Sequence, residues 1–249
     1  MSGHSKWAGI KHKKAIIDAR RGKQFAKRLR AIEVAAREGG GKMDANPTLA
    51  DAVSRARADS IPTDTIERAI KRGTGELEGV TYETLIYEGY APGGVAVLVE
   101  VLTDNRNRAA ADVRRIFTKY GSSLAEPGAV SWMFTKRGVV LVPKDAVSED
   151  DLMGVALAAG AEDLKDQGDT WQVTTGPNDL ETLRQAIEAE GLPIEEAQIT
   201  MEPSTVIELD REGAPPVLRL LDALEDLDDV QEVHANFDVP DDVMAELAG

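Results

Sequence analysis

The spacing of apolar residues in the first third of the chain predicts helices. Phe25, Leu29, Ile32 and Ala36 recur at intervals of three and four residues, which makes one apolar stripe along a helix over residues 21–38. Three consecutive glycines from residue 39 end this helix. Because Lys23, Lys27 and Arg30 lie about 120–200° from the stripe, we expect the opposite face of the helix to be basic.

Two further helices are predicted before residue 80. Asn46 is placed to cap the second helix and Pro47 to occupy its first turn. A third helix is expected near residues 63–72, with Gly73 as the residue just beyond its end. No strand pattern is found in this part of the sequence, so we expect residues 1–80 to form a basic helical domain.

The pattern then changes to short apolar strands alternating with helices. Residues 139–201 repeat strand, helix, strand, strand, helix, strand, which is the split βαβ pattern. Strands are also predicted at residues 95–101, 130–134, 205–209 and 230–237, with helices at residues 107–120 and 215–227. We therefore expect an α+β fold, in which the N-terminal helical domain is followed by two interleaved ferredoxin-like (split βαβ) α/β domains. The discontinuous α/β domain comprises residues 81–134 and 204–249, and the inserted α/β domain comprises residues 135–203.

Charge is distributed very unevenly along the chain. The whole sequence of 249 residues has a formal net charge of −15, yet residues 1–42 carry 12 Lys and Arg against 3 Asp and Glu. Residues 144–249 carry 5 basic against 28 acidic residues. A polyanion would be attracted to the first segment and repelled by the last.

Composition excludes several classes of protein. With no cysteine, neither disulfides nor thiolate metal sites can form. The apolar runs are too short to span a bilayer, and the N-terminus leads into lysines instead of an apolar segment, so we expect a cytoplasmic protein with no membrane partner.

Enzyme signatures are not found in the sequence. Residues 39–42 (GGGK) lack the glycine spacing of a phosphate loop, and the three histidines lack metalloprotease spacing. The acidic residues between 222 and 229 lack the spacing of a calcium loop and are interpreted as a solvated face. We therefore expect no enzymatic activity, no cofactor, no metal and no small-molecule substrate.

A dense group of cations at the N-terminus is the first candidate binding site. Ten Lys and Arg occur between residues 6 and 30. Such clusters favour binding to a phosphate backbone, because each phosphate contact releases counterions. Trp7 is a candidate for stacking on bases. The alternatives are that this segment docks onto the protein's own acidic domains, or that it is a solvated basic face. The candidate nucleic-acid-binding residues here are Lys6, Trp7, Lys11, His12, Lys13, Lys14, Arg20, Arg21, Lys23, Lys27 and Arg30.

A second candidate lies at residues 103–108 (TDNRNR), between a predicted strand and helix. Arg106 and Arg108, with the N–H groups of the helix start, could form an anion site. The alternative is a helix cap whose arginines pair with nearby carboxylates.

These motifs resemble those of the YebC/PmpR family. The resemblance is carried by residues 1–14 (MSGHSKWAGIKHKK), 87–96 (YEGYAPGGVA), 103–108 (TDNRNR) and 128–134 (GAVSWMF), and it extends over the whole chain. It implies a three-domain α+β protein with a helical N-terminal domain and a cytoplasmic, non-enzymatic regulatory role. Members are described as DNA-binding transcriptional regulators, others as ribosome-associated factors that relieve stalling on proline-rich sequences, and mitochondrial members act in translation.

Three functions therefore stay open at this point. The first is a DNA-binding transcriptional regulator that contacts phosphates through the basic N-terminus. The second is a translation factor that binds ribosomal RNA and hence the ribosome; charge alone cannot separate it from the first, because both partners are polyanions. The third is a protein-interaction module whose acidic C-terminal part binds a basic partner.

Overall fold

The computed structural model describes residues 19–240 and Val243, with side chains from Lys23 onward. The helices are α1 (Ala19–Gly39), α2 (Pro47–Ala58), α3 (Thr63–Gly73), α4 (Arg106–Lys119), α5 (Glu149–Ala158), α6 (Leu180–Ala189) and α7 (Ala214–Glu225). The strands are β1 (Glu83–Tyr90), β2 (Ala96–Thr103), β3 (Ser123–Leu124), β4 (Phe134–Pro143), β5 (Ala161–Asp166), β6 (Thr170–Thr175), β7 (Glu196–Pro203), β8 (Ile207–Glu208), β9 (Val230–Ala235) and β10 (Phe237–Asp238).

The first three helices pack around their own apolar cluster. Ile32 and Ala36 of α1 are buried against α2 and α3, with Phe25 and Leu29 partly buried at the edge of the cluster, as the stripe predicts. The Asn46 side chain accepts a hydrogen bond from the Leu49 N–H at 3.1 Å, which confirms the predicted cap of α2. The helical part therefore follows from local sequence signals.

Gly73 has a different role from the predicted one. It lies inside α3 and is buried, and the residue with a positive φ beyond the helix is Gly75 (+82°). A Cβ atom on Gly73 would lie 2.4 Å from the Glu33 carbonyl oxygen and 2.7 Å from the Ala36 Cβ. Close approach of α3 to α1, not chain reversal, therefore requires this glycine.

The α+β fold class is confirmed. A four-stranded antiparallel sheet in the order β5-β6-β4-β7 carries α5 and α6 over its own core cluster, as the split βαβ pattern predicts. A second sheet has the strand order β3-β1-β2-β9, and α4 and α7 pack on it. Its strands β1 to β3 precede the other sheet in the sequence, and β9 follows it. The two units are thus interleaved along the chain, while the exact domain boundaries stay a prediction.

Two of the strands predicted for the second sheet differ from the structure. Residues 131–133 form a 3₁₀ turn, so the strand predicted at residues 130–134 is replaced by β4, which begins at Phe134. The strand near residues 205–209 shrinks to β8, which pairs in parallel with β10 outside the four-stranded sheet. The sheet is instead completed by β1 and by the short β3, neither of which was predicted.

Candidate nucleic-acid interface

The predicted cationic face of α1 points away from the helical cluster and toward the second sheet. Since Phe25, Leu29, Ile32 and Ala36 turn to α2 and α3, the helix period carries Lys23, Lys27 and Arg30 to the other side. That side lies against the end of α7 and the residues that follow it, here called the acidic turn (residues 225–229).

All three of these side chains contact the acidic turn. The Lys23 Nζ lies 3.1 Å from the Asp228 carboxylate and 3.5 Å from the Asp226 carbonyl oxygen. Lys27 donates to the Glu225 carbonyl oxygen, and Arg30 donates to the Asp228 carbonyl oxygen at 2.9 Å. For these three residues, the structure therefore has the alternative in which the basic segment docks onto the protein's own acidic part. Their contact with nucleic acid stays a prediction.

Asp229 is the buried centre of this contact. Only 8% of the residue is exposed, and its carboxylate lies 3.2 Å from the Arg30 guanidinium and 2.8 Å from that of Arg108. The Thr103 hydroxyl donates to the same carboxylate at 3.0 Å. Two predicted binding residues from separate motifs, Arg30 and Arg108, are thus brought together by one carboxylate.

The second candidate site has the geometry of the capping alternative. The Asn105 side chain accepts from the Arg108 N–H at 3.1 Å, and Arg108 also pairs with Asp104 at 2.8 Å. The hydrogen bonds that Arg108 donates to the carboxylates of Asp229 and Asp104 raise the pKa of its guanidinium, so these carboxylates hold its charge. Arg106 stays largely exposed, and its guanidinium lies 3.7 Å from the Glu83 carboxylate.

The remaining predicted residues are only partly covered by the structure. Arg20 and Arg21 lie on the first turns of α1, and their side chains fall outside the described part. Six further candidates precede the described residues altogether: Lys6, Trp7, Lys11, His12, Lys13 and Lys14.

Sequence reasoning missed the carboxylates that organise this region. Asp229 was assigned to a solvated acidic face, whereas it is buried between two arginines. Its position next to Val230, the first buried residue of β9, was the available signal.

A second ionic cluster joins the helical part to both sheets. Arg55 of α2 lies 2.9 Å from Asp51, pairs with Glu232 of β9 and donates to the Ile199 carbonyl oxygen of β7. Between the helical part and the sheets lies a cavity of about 250 Å³, to which Lys27, Arg55 and Glu232 contribute. Arg55 therefore links the helical part to both sheets through polar contacts.

The described residues contain neither a membrane-spanning helix nor a candidate metal cluster. None of the helices in that part of the chain is long and apolar enough to cross a membrane. Across the same residues, no group of three or more His, Cys, Asp or Glu side chains is arranged to hold a metal ion.

Comparison with known proteins gives consistent matches along the chain. Residues 5–76 match the family model described as the TACO1/YebC protein N-terminal domain, and residues 82–237 match the TACO1/YebC second and third domain. A protein of Beutenbergia cavernae is 59% identical over 99% of both chains, and one of Rubrobacter xylanophilus is 58% identical over the full length of both. Both are named "Probable transcriptional regulatory protein". The crystal structure of a conserved hypothetical protein from Aquifex aeolicus has a TM-score of 0.78 and 48% identity, and the match covers 90% of this chain and 93% of the other.

Proposed function

Because the chain belongs to the TACO1/YebC family, we propose that it is a non-enzymatic regulator of transcription that binds DNA through its basic N-terminal region. The names of the full-length relatives support the regulatory role. Binding of DNA by this chain is our proposal.

The observation that carries the proposal is the one-sided distribution of charge. Residues 1–42 have nine more basic than acidic residues, whereas residues 144–249 have 23 more acidic than basic ones. A DNA duplex carries one negative charge per about 1.7 Å of its axis, so it binds the first segment and avoids the second. The protein would thus approach DNA in one orientation.

The structure narrows the set of residues that would make the first contacts. Lys23, Lys27 and Arg30 already contact the acidic turn, and Arg108 is held by two carboxylates. We therefore assign the primary phosphate contacts to the cations that precede Lys23, with Arg106 as an additional exposed cation. Those preceding cations are Lys6, Lys11, Lys13, Lys14, Arg20 and Arg21.

A salt titration of DNA binding tests this assignment. About five to seven phosphate contacts predict a slope of roughly −4 to −6 when the logarithm of the binding constant is plotted against that of the salt concentration. Replacing Lys11, Lys13 and Lys14 with Ala should weaken binding to a short duplex and make the slope shallower by about 2–3. Fluorescence anisotropy of a labelled duplex measures both quantities.

A matched variant controls for net charge. Lys119→Ala, Arg211→Ala and Arg219→Ala remove the same charge from exposed positions far along the chain, and this variant should bind like the wild type. If both triple variants behave alike, the N-terminal cations are not the contact surface. A salt-independent affinity contradicts any phosphate-based mechanism, and binding to an RNA duplex but not to DNA overturns the DNA proposal in favour of an RNA target.

A further inference from the structure

We propose that the acidic turn is an internal competitor for the nucleic acid: it binds Lys23 and Lys27, and these lysines exchange it for phosphates when a polyanion binds. The inference rests on the proposed function and concerns the regulation of the same surface. It turns the two interpretations of the basic helix, self-docking and phosphate binding, into two states of one surface.

The acidic turn presents the groups that a phosphate backbone presents. It follows the C-terminus of α7, where the last carbonyl groups have no partner within the helix and the helix dipole is negative. Lys27 donates a hydrogen bond to the Glu225 carbonyl oxygen, and Lys23 contacts both the Asp226 carbonyl oxygen and the Asp228 carboxylate. The lysines of α1 therefore contact a group of oxygen atoms that carry full or partial negative charge, as they would on a nucleic acid.

The Lys23 contact is built to be exchanged. The side chains of Lys23 and Asp228 are 56% and 66% exposed, so water and salt screen the pair. Lysine is a flexible point charge with freely turning donors, and it can change partners by rotating its own side chain. Exchange at this position consequently needs no movement of the helix.

Arg30 provides the contrast that keeps the helix in place. Its guanidinium reaches the buried Asp229 carboxylate, which Arg108 and Thr103 also bind, and it lies 5.6 Å from the centre of the Tyr82 ring. A planar guanidinium fixed by several partners is more costly to remove than an exposed lysine. Arg30 thus anchors α1, while Lys23 and Lys27 form the exchangeable part of its face.

A double-mutant cycle between Lys23 and Asp228 tests the inference. Asp228→Asn keeps the shape of the side chain and the backbone carbonyl that Arg30 uses, but it removes the carboxylate that pairs with Lys23. An exposed ion pair is worth about 0.2–1 kcal/mol, which corresponds to an increase in affinity for a short DNA duplex of about 1.4- to 5-fold. The gain should disappear when Lys23 is also replaced with Ala, because the released cation is then missing.

The cycle separates masking from a general effect of charge. If Asp228 merely repels DNA, Asp228→Asn raises the affinity equally with and without Lys23, and such additivity would overturn the inference. Glu212→Gln removes one exposed carboxylate from the same part of the chain and serves as the charge-matched control, for which no dependence on Lys23 is expected. A salt slope that steepens by about 1 in Asp228→Asn supports one additional phosphate contact.

The same cycle with inorganic polyphosphate distinguishes the two proposals. Coupling with polyphosphate but no binding of DNA overturns the proposed function and supports the masking. Binding of DNA by every variant with an additive cycle overturns only the masking. A failure of all variants to bind either probe overturns both.

Discussion

Arg55 ties the helical part of the protein to both sheets, and its removal should be costly. Its guanidinium contacts Asp51 on its own helix, Glu232 on β9 and the Ile199 carbonyl oxygen on β7. The side chain is largely enclosed by these partners. Arg55→Met would keep much of the buried volume while leaving the carboxylates without their cation.

The size of the effect follows from the pKa of Glu232. Burial opposes its charge, but neighbouring basic groups, with Arg55 the strongest of them, lower its pKa from the ordinary 4.5 to about 2. One pKa unit corresponds to about 1.4 kcal/mol, so the charged form is stabilised by about 3 kcal/mol in the folded protein. Because 29% of the Glu232 side chain is exposed, solvent relieves some of the loss, and we expect Arg55→Met to cost about 2–3 kcal/mol at neutral pH.

The dependence on pH gives the prediction a second readout. Glu232 has a depressed pKa in the folded state, so its stabilisation is fully present above about 4.5 and is lost as the pH falls toward 2. The difference between wild type and Arg55→Met should therefore shrink to roughly half by about pH 3. Urea unfolding followed by circular dichroism measures it at both pH values.

Glu232→Gln and the double variant complete the cycle. Asp51 loses Arg55 in the single variant Arg55→Met and equally in the double variant. The free energy of that loss therefore cancels when the coupling energy between Arg55 and Glu232 is calculated. We expect the coupling between Arg55 and Glu232 to exceed about 1.5 kcal/mol. A coupling below about 0.5 kcal/mol, or a deficit that does not change with pH, would refute the argument that this pair holds the two parts together.

Two further substitutions test the packing of the fold. Gly73→Ala should lower the free energy of unfolding by about 1–3 kcal/mol, because its Cβ would overlap the Glu33 backbone. Gly154→Ala on α5, where no atom beyond the adjacent residues and the nearby helix backbone lies within 4 Å of an added Cβ, should raise it by about 0.5–1 kcal/mol; equal effects at the two sites in urea unfolding would contradict the packing argument. Glu88 is buried and accepts hydrogen bonds from three backbone N–H groups, which lower its pKa against the opposing effect of burial. Glu88→Gln should cost about 1.5–3 kcal/mol above pH ~4.5 and less as the pH falls below that value, and a thermal-melting deficit that does not change with pH would exclude the charged form as the cause.

Local signals were enough to predict the helical part and the sheet that carries α5 and α6. The stripe of Phe25, Leu29, Ile32 and Ala36 depends only on the helix period, and the Asn46 cap depends only on its own next three residues. Such features are encoded within about three turns of helix or less. They are therefore visible in the sequence before any tertiary contact is known.

The errors come from positions where a distant residue decides the structure. Gly89 weakens the strand pattern of β1, yet a Cβ there would lie 2.5 Å from the Phe117 ring, so packing on α4 requires the glycine. The apolar run at residues 130–134 has the composition of a strand, but the Glu88 carboxylate binds the N–H groups of Val130 and Ser131 and holds the chain in a turn. In both places the controlling partner is about 30 to 40 residues away in the sequence, where the local pattern does not reveal it.

The candidate site illustrates the same distinction for charge. The sequence identifies the basic face of α1 from the helix period alone, but it cannot tell which anion that face meets. An exposed pair such as Lys23–Asp228 is worth little in either state, so the choice between the acidic turn and a phosphate depends on concentration and salt more than on contact geometry. At Asp229 the balance is different, because burial and three partners hold its carboxylate against exchange. One helix face can therefore combine a fixed anchor at Arg30 with exchangeable cations, and the cycle between Lys23 and Asp228 measures whether Lys23 is one of the exchangeable cations.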